Sequence, residues 1–202
     1  MHDVFPDLER WMRERKSVAV ATVIQTWGSS PRRVGAKMAL TTDGDITGSV
    51  SGGCVEGAVV EAGEDVLRSG TPQRLHFGVA DETAWEVGLA CGGSIDVFVE
   101  PLSPTLFDFW QEWMAGQRLA VTVTVIRGPQ ELLGRRIYLK EEGTSTESLS
   151  PEVDSSALEA ARAALESGTS RRVKFPATPD ASSPKGDIEV FVEALLPQPT
   201  LV

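Results

Sequence analysis

The chain has 202 residues, 41% hydrophobic and 24% charged, which is the composition of a folded globular protein and excludes a disordered tail. Its 19 Lys+Arg against 29 Asp+Glu give a formal net charge of −10, which disfavours nucleic acid and anionic membranes as partners. No apolar run approaches the roughly 18 residues of a membrane span, and residues 1–15 are too charged for a secretory signal. Cys54 and Cys91 are the only cysteines, no disulfide scaffold, so a cytoplasmic protein with reduced thiols is expected.

A helix is predicted over Phe5–Arg15, with Leu8, Trp11 and Met12 on one face. A β-rich run, Val18–Ile24, and a short strand, Lys37–Leu40, follow. The Ala- and Glu-rich stretch Ala58–Arg68 reads as a helix ending at Ser69-Gly70-Thr71, where Gly can take the left-handed C-cap conformation. Strands Arg74–Phe77 and Ile95–Glu100 close this series, the latter alternating acidic and apolar residues as a strand with one buried face does. After Leu102-Ser103-Pro104 the order repeats: a helix at Leu106–Met114, strands Leu119–Ile126 and Arg136–Leu139, a helix at Ala157–Glu166 ending in Ser167-Gly168-Thr169, then strands Arg172–Phe175 and Ile188–Glu193. Trp11-Met12 and Trp113-Met114 are 102 apart, as are Thr22-Val23-Ile24 and Thr124-Val125-Ile126.

Each half therefore reads helix, strand, strand pair, helix, strand, strand. The expected fold is α/β (α+β), a mixed β-sheet with flanking helices built from two pseudo-duplicated halves. Residues 1–103 form the first half and 104–202 a degenerate second half, packed with the first as one domain. The join is too short for a flexible linker, and exposed sheet edges of duplicated units commonly pair.

The duplication supplies an internal control, because a feature present in one half only is not explained by the shared core. Three such features lie in the first half. In Gly28–Lys37, Arg32, Arg33 and Lys37 form a cationic cluster that, with Ser29, Ser30 and loop amides, suits a phosphate or another small anion. The other half has only Gly128-Pro-Gln-Glu-Leu-Leu-Gly134 there. In Gly48–Glu56, Gly52 and Gly53 allow close backbone approach, and Cys54 falls at or next to a helix N-cap, where free N–H groups favour a thiolate able to bind a soft metal, accept sulfur or attack an electrophile. In Gly88–Asp96, Cys91, Gly92 and Gly93 lie in a loop that is longer than its counterpart, with 17 residues between Phe77 and Ile95 against 12 between Phe175 and Ile188. The three segments are expected to meet in one pocket. The plainer readings are a solvated loop for the first and a packed cysteine for the second and third; for His76, whose place Lys174 takes in the other half, a surface role is favoured over catalysis.

At these motifs, Gly28–Met38, Ser51–Glu56 and Cys91–Pro101, the sequence resembles the XdhC/CoxI family, the accessory proteins of molybdenum hydroxylases such as xanthine dehydrogenase. The resemblance implies a chaperone that binds molybdenum cofactor in its molybdopterin form, protects it while its sulfido ligand is installed, and delivers it to the apo molybdenum hydroxylase, with no chemical turnover of its own. It implies that Ser29, Ser30, Arg32, Arg33 and Lys37 hold the phosphate, that Gly52, Gly53, Gly92 and Gly93 let the pterin approach the backbone, that Glu56 is among the cofactor contacts, and that Cys54 or Cys91 contacts molybdenum or handles sulfur. It also implies a cysteine desulfurase as partner, with a homodimer as a further expectation. Family members continue into a Rossmann-like domain that opens with a strand and a Gly-x-Gly-His turn. This chain stops at Pro197–Val202 without a dinucleotide fingerprint, so that domain is expected to be absent from it, either because it is supplied as a separate Rossmann-domain subunit or because the chain is a fragment. Two other readings stand beside the carrier: a thiol-dependent sulfur-transfer or redox protein using Cys54 and Cys91, and a docking scaffold for the Rossmann subunit.

Overall fold

The computed structural model describes residues 1–78, 93–116, 118–140, 143–144, 148–176 and 187–197. The chain divides into two compact units, Met1–Leu102 and Ser103–Val202. Among the described residues each holds two α-helices and a five-stranded sheet.

In the first unit the order is α1 (Phe5–Arg13), β1 (Val18–Trp27), β2 (Lys37–Thr41), β3 (Ile46–Gly48), α2 (Glu56–Ser69), β4 (Gln73–Phe77) and β5 (Ser94–Pro101). In the second it is α3 (Pro104–Gly116), β6 (Ala120–Arg127), a 3-10 turn at Gln130–Leu132, β7 (Arg136–Lys140), β8 (Gly143–Thr144), α4 (Asp154–Ser167), β9 (Arg171–Phe175) and β10 (Ile188–Leu195). The sheet orders are β3-β2-β1-β5-β4 and β8-β7-β6-β10-β9, one pattern used twice. The expected α+β class and repeated element order hold. The described strand pairs are all antiparallel, a narrower arrangement than a mixed sheet, and they form two sheets.

The β-branched run of β1 explains its central place. Ala19, Ala21 and Val23 face α2 and join Val59, Ala62, Val66, Val97 and Val99 in one core cluster. The second unit repeats this with Val121, Val123 and Val125 against Ala157, Ala160 and Ala164. Each fully buried Val contributes about 1.5–3 kcal/mol relative to exposure. Both helices stop where a glycine takes the left-handed conformation, Gly70 (φ 71°) and Gly168 (φ 63°).

The repetition extends to irregularities. Ile24 is skipped in the β1–β5 register and Ile126 in the β10–β6 register, so each central strand carries a bulge at the same position. Arg74 pairs with Asp96 at 3.0 Å, as Arg172 does with Glu189 at 2.7 Å. No helix among the described residues is long and apolar enough to cross a membrane.

Candidate functional site

The turn that enters α2 is built around one carboxylate. Glu56 accepts the Ser49 hydroxyl at 2.6 Å, the hydroxyl of Ser51, and backbone N–H groups of Val50 (3.2 Å), Ser51 (2.9 Å), Gly52 (3.1 Å), Gly53 (2.8 Å) and Val55 (3.3 Å). Burial opposes its ionisation, but the Ser49 and Ser51 hydroxyls and the Ser51 N–H outweigh it and hold the pKa down at about 2. Gly52 (φ 82°) and Gly53 (φ 118°) occupy backbone conformations that L side chains rarely adopt, which is how five N–H groups can face one carboxylate.

The second unit uses the same device. Asp154 accepts the Ser148 hydroxyl and the N–H groups of Leu149 (2.8 Å) and Ser150 (3.1 Å). Ser49 and Glu56 are seven positions apart, Ser148 and Asp154 six. The acid is therefore part of the shared fold, and the first unit adds one residue within Gly52-Gly53-Cys54. Glu56, expected among the cofactor contacts, instead spends its oxygens on this turn. Cys54 is exposed and lies one residue before the N-cap, Val55. Its own N–H and that of Val55 both donate to Ser51 Oγ at 3.0 Å. The two N–H groups nearest the sulfur along the chain are thus already engaged by Ser51.

The loop after β1 closes on the sheet identically in both units. Gly35 N–H donates to the Val23 carbonyl and Ala36 N–H to that of Arg33; Gly134 donates to Val125 and Arg135 to Leu132. Closure takes 12 positions from Val23 to Gly35 and nine from Val125 to Gly134, so here too the first unit carries extra chain. Arg33 stands where the second unit buries Leu132 in its core, and it is exposed, with no ion pair among the described residues. Arg32 bonds Asp3 at 2.9 Å. Ser29 is exposed, and Ser30 Oγ donates to the Arg32 carbonyl at 2.9 Å.

Lys37 departs from the expected cationic cluster. It is 1% exposed, and its Nζ donates to Thr22 Oγ1 at 3.2 Å across β1 and β2. In the second unit Arg136, 7% exposed, donates to Thr124 Oγ1 at 2.8 Å. A buried cation on a cross-strand threonine belongs to the sheet of both units, so the loop's outward cations are Arg32 and Arg33. His76 is exposed and pairs with Asp96 at 2.5 Å, opposite it in the register, as Lys174 stands opposite Glu189.

Glycines bring the motifs together. A Cβ on Gly93 would stand 2.3 Å from the Ser29 carbonyl oxygen and 2.7 Å from that of Trp27, a clash with backbone that no side chain can relieve. A Cβ on Gly52 would meet the Pro31 ring at 3.7 Å. The Gly28–Ala36 loop thus touches the Gly52 turn on one side and the start of β5 on the other. Cys91 and Gly92 lie outside the described residues. Sequence reasoning passed over Trp27, an exposed aromatic beside this junction; the available signal was a large apolar residue at the end of a strand and directly before a glycine loop. A separate cavity of about 320 Å³ in the second unit, lined by Glu112, Arg118 and Lys140 among others, contains none of the motif residues. Among the described residues no group of three or more His, Cys, Asp or Glu is arranged to hold a metal ion.

Comparison with known proteins matches residues 11–78 to the XdhC and CoxI family, a span holding the first two motifs but not Cys91–Pro101. The chain is 32% identical over 97 residues to the uncharacterized protein YqeB of Escherichia coli K12, covering 48% of this chain and 18% of that one. It is 32% identical over 88 residues to the molybdenum cofactor insertion chaperone PaoD of the same organism, covering 43% and 27%. It is 29% identical over 100 residues to a probable xanthine dehydrogenase subunit of Bacillus subtilis 168, covering 48% and 30%. The chain thus spans less than a third of the length of these curated relatives. In three dimensions it is similar to a crystal structure of a xanthine dehydrogenase from Bacillus halodurans, with a TM-score of 0.66 at 20% identity over 97% of this chain and 53% of that one, a likeness of fold.

Proposed function

We propose that this chain forms the cofactor-facing part of an accessory protein for molybdenum hydroxylases, holding molybdenum cofactor as cargo and passing it to the apo-enzyme. The observation that carries the reading is the junction of three motif segments through Gly52 and Gly93 in one unit, against a second unit of the same fold that has shorter connections in the first two places. It is supported by the family match and by the name of PaoD.

The residues suit that cargo. Molybdopterin has a phosphate, and Arg33 and Arg32 project from the loop that would meet it. The Arg32–Asp3 pair is a partly exposed bridge, worth about 0–1 kcal/mol, so a phosphate making a charge-assisted bidentate bond can displace Asp3. The exposed backbone of Gly52 and Gly53 admits a flat ring closely, and the Cys54 thiol is a soft ligand for a thiophilic metal. The further partners this role calls for are a cysteine desulfurase and a Rossmann-domain subunit.

Anaerobic titration with molybdenum cofactor released from a molybdoenzyme tests the reading. Cys54→Ala and Arg33→Ala should each weaken binding, by roughly tenfold for a lost charge-assisted contact, with the far-UV CD unchanged. Unaltered affinity in both variants removes the proposed site. The exposed thiol also favours a second reading, sulfur relay, in which the sulfane sulfur of a desulfurase persulfide moves to the Cys54 thiolate and leaves the donor as thiolate. Mass spectrometry after incubation with desulfurase and cysteine would find one added sulfur atom on Cys54 in that case, and none if Cys54 serves only as a ligand.

A further inference from the structure

Trp27 is the largest apolar side chain left in solvent among the described residues, at 70% exposure, whereas Trp11, Trp110 and Trp113 are buried. Its position is built, not incidental. Beyond the bulge at Ile24, β1 keeps pairing with β5 through Gln25–Asp96, Thr26–Ile95 and Trp27–Ser94. Among the described residues of the second unit the equivalent strand pairs only Arg127 beyond its bulge. The extra rungs carry Trp27 out to the motif junction. Its carbonyl is one of the two oxygens that abut Gly93, and Gly28 (φ 70°) turns the chain immediately after it. The backbone beneath the indole is therefore held by ladder bonds and close packing, while the ring is free to meet a ligand.

From this geometry we propose that Trp27 is the stacking platform for the flat heterocycle of the cargo, which deepens the reading above and rests on it. An indole exposed at a rigid strand end offers a π face with little conformational freedom to lose on binding. Arg32 and Arg33 follow five and six residues later on the same loop, so an aromatic face and an anion-binding face sit on one short segment. That combination selects a planar ring with an anionic tail over a bare anion, which has no ring to stack, and over an apolar peptide, which has no use for the arginines. Stacking of a heterocycle on an aromatic side chain is typically lost as a five- to hundredfold drop in affinity, roughly, on substitution by alanine.

The experiment titrates the full chain with two probes, released molybdenum cofactor and a metal-free pterin bearing a phosphorylated side chain, using Trp27→Ala, Trp27→Phe and, as an exposed control on β3, Ile46→Ala. Binding of both probes should weaken roughly tenfold in Trp27→Ala and less in Trp27→Phe, with Ile46→Ala unchanged and the saturable quenching of indole fluorescence lost in both tryptophan variants. Unchanged affinity in Trp27→Ala, while Arg33→Ala still weakens cofactor binding, overturns the stacking role and leaves the carrier reading standing. Absence of cofactor binding by the unmodified chain overturns both. Unchanged affinity in Trp27→Ala together with lost capture of an apo molybdenum hydroxylase assigns the indole to a protein contact and likewise overturns the proposal.

Discussion

The two units share one plan and only one of them is elaborated. Both carry the bulged central strand, the buried cation on a cross-strand threonine, the acid that gathers the turn before the second helix, and the left-handed glycine that ends it. The first unit departs from the second in its connections. It has a longer closure after β1 and one more residue in the turn before α2. Added chain at loops leaves the core untouched, because insertions there cost little closure entropy. The comparison thus separates what the fold needs, which both units keep, from the added chain of the first unit, which the proposed role assigns to a ligand.

The largest effect is expected at Glu56. Glu56→Ala orphans the donors of the whole turn and should lower stability by about 2–4 kcal/mol in urea unfolding, whereas Asp154→Ala, with three bonds at stake, should cost less. Equal losses would mean that the extra donors of the first unit add nothing. Acid should act on the intact protein in the same sense. With a folded pKa of about 2, below the ordinary 4.5, the contribution of Glu56 is full above about pH 4.5 and is lost as pH falls from there through about 2. The stability gap between the parent and Glu56→Gln, followed by thermal melts, should close across that window.

Gly93→Ala comes next. The added methyl meets two carbonyl oxygens below 3.0 Å, so the loop must shift, at about 1–3 kcal/mol, with amide shifts at Ser29 and Trp27 in NMR spectra. Gly52→Ala retains space, since its nearest neighbour is the Pro31 ring at 3.7 Å, and should cost only the positive-φ strain of about 1–2 kcal/mol. Cys54→Ala should change stability by less than about 0.5 kcal/mol while abolishing alkylation by iodoacetamide at that exposed position. Binding that survives this last change would sharpen the comparison by moving function from the sulfur to the glycine backbone around it.

The elements are legible in the sequence because their signals are local. Ile95–Glu100 and Ile188–Glu193 announce strands by alternation, and the Ser-Gly-Thr ends of both helices announce left-handed caps. The short edge strands Ile46–Gly48 and Gly143–Thr144 carry no such signal, since two or three rungs give no period to read. Among the site residues, Gly52, Gly53 and Cys54 emerge from comparing the halves, as does Arg33. Lys37 and Glu56 differ from the other candidates for one reason: charge in a glycine-rich segment looks outward on paper, and only the neighbours show Lys37 turned into the sheet onto Thr22 and Glu56 ringed by N–H groups.

What this sequence determined by itself was the repeat, the class of fold, and the places where one copy exceeds the other, because hydrophobic period, turn chemistry and insertion length are properties of contiguous residues. What only the tertiary structure decided was which charges are spent inside the fold, how Gly52 and Gly93 clasp the first loop, and that Trp27 stands in solvent beside it. Those outcomes depend on partners tens of residues away, and the sequence does not encode their distances until the sheet brings them within reach.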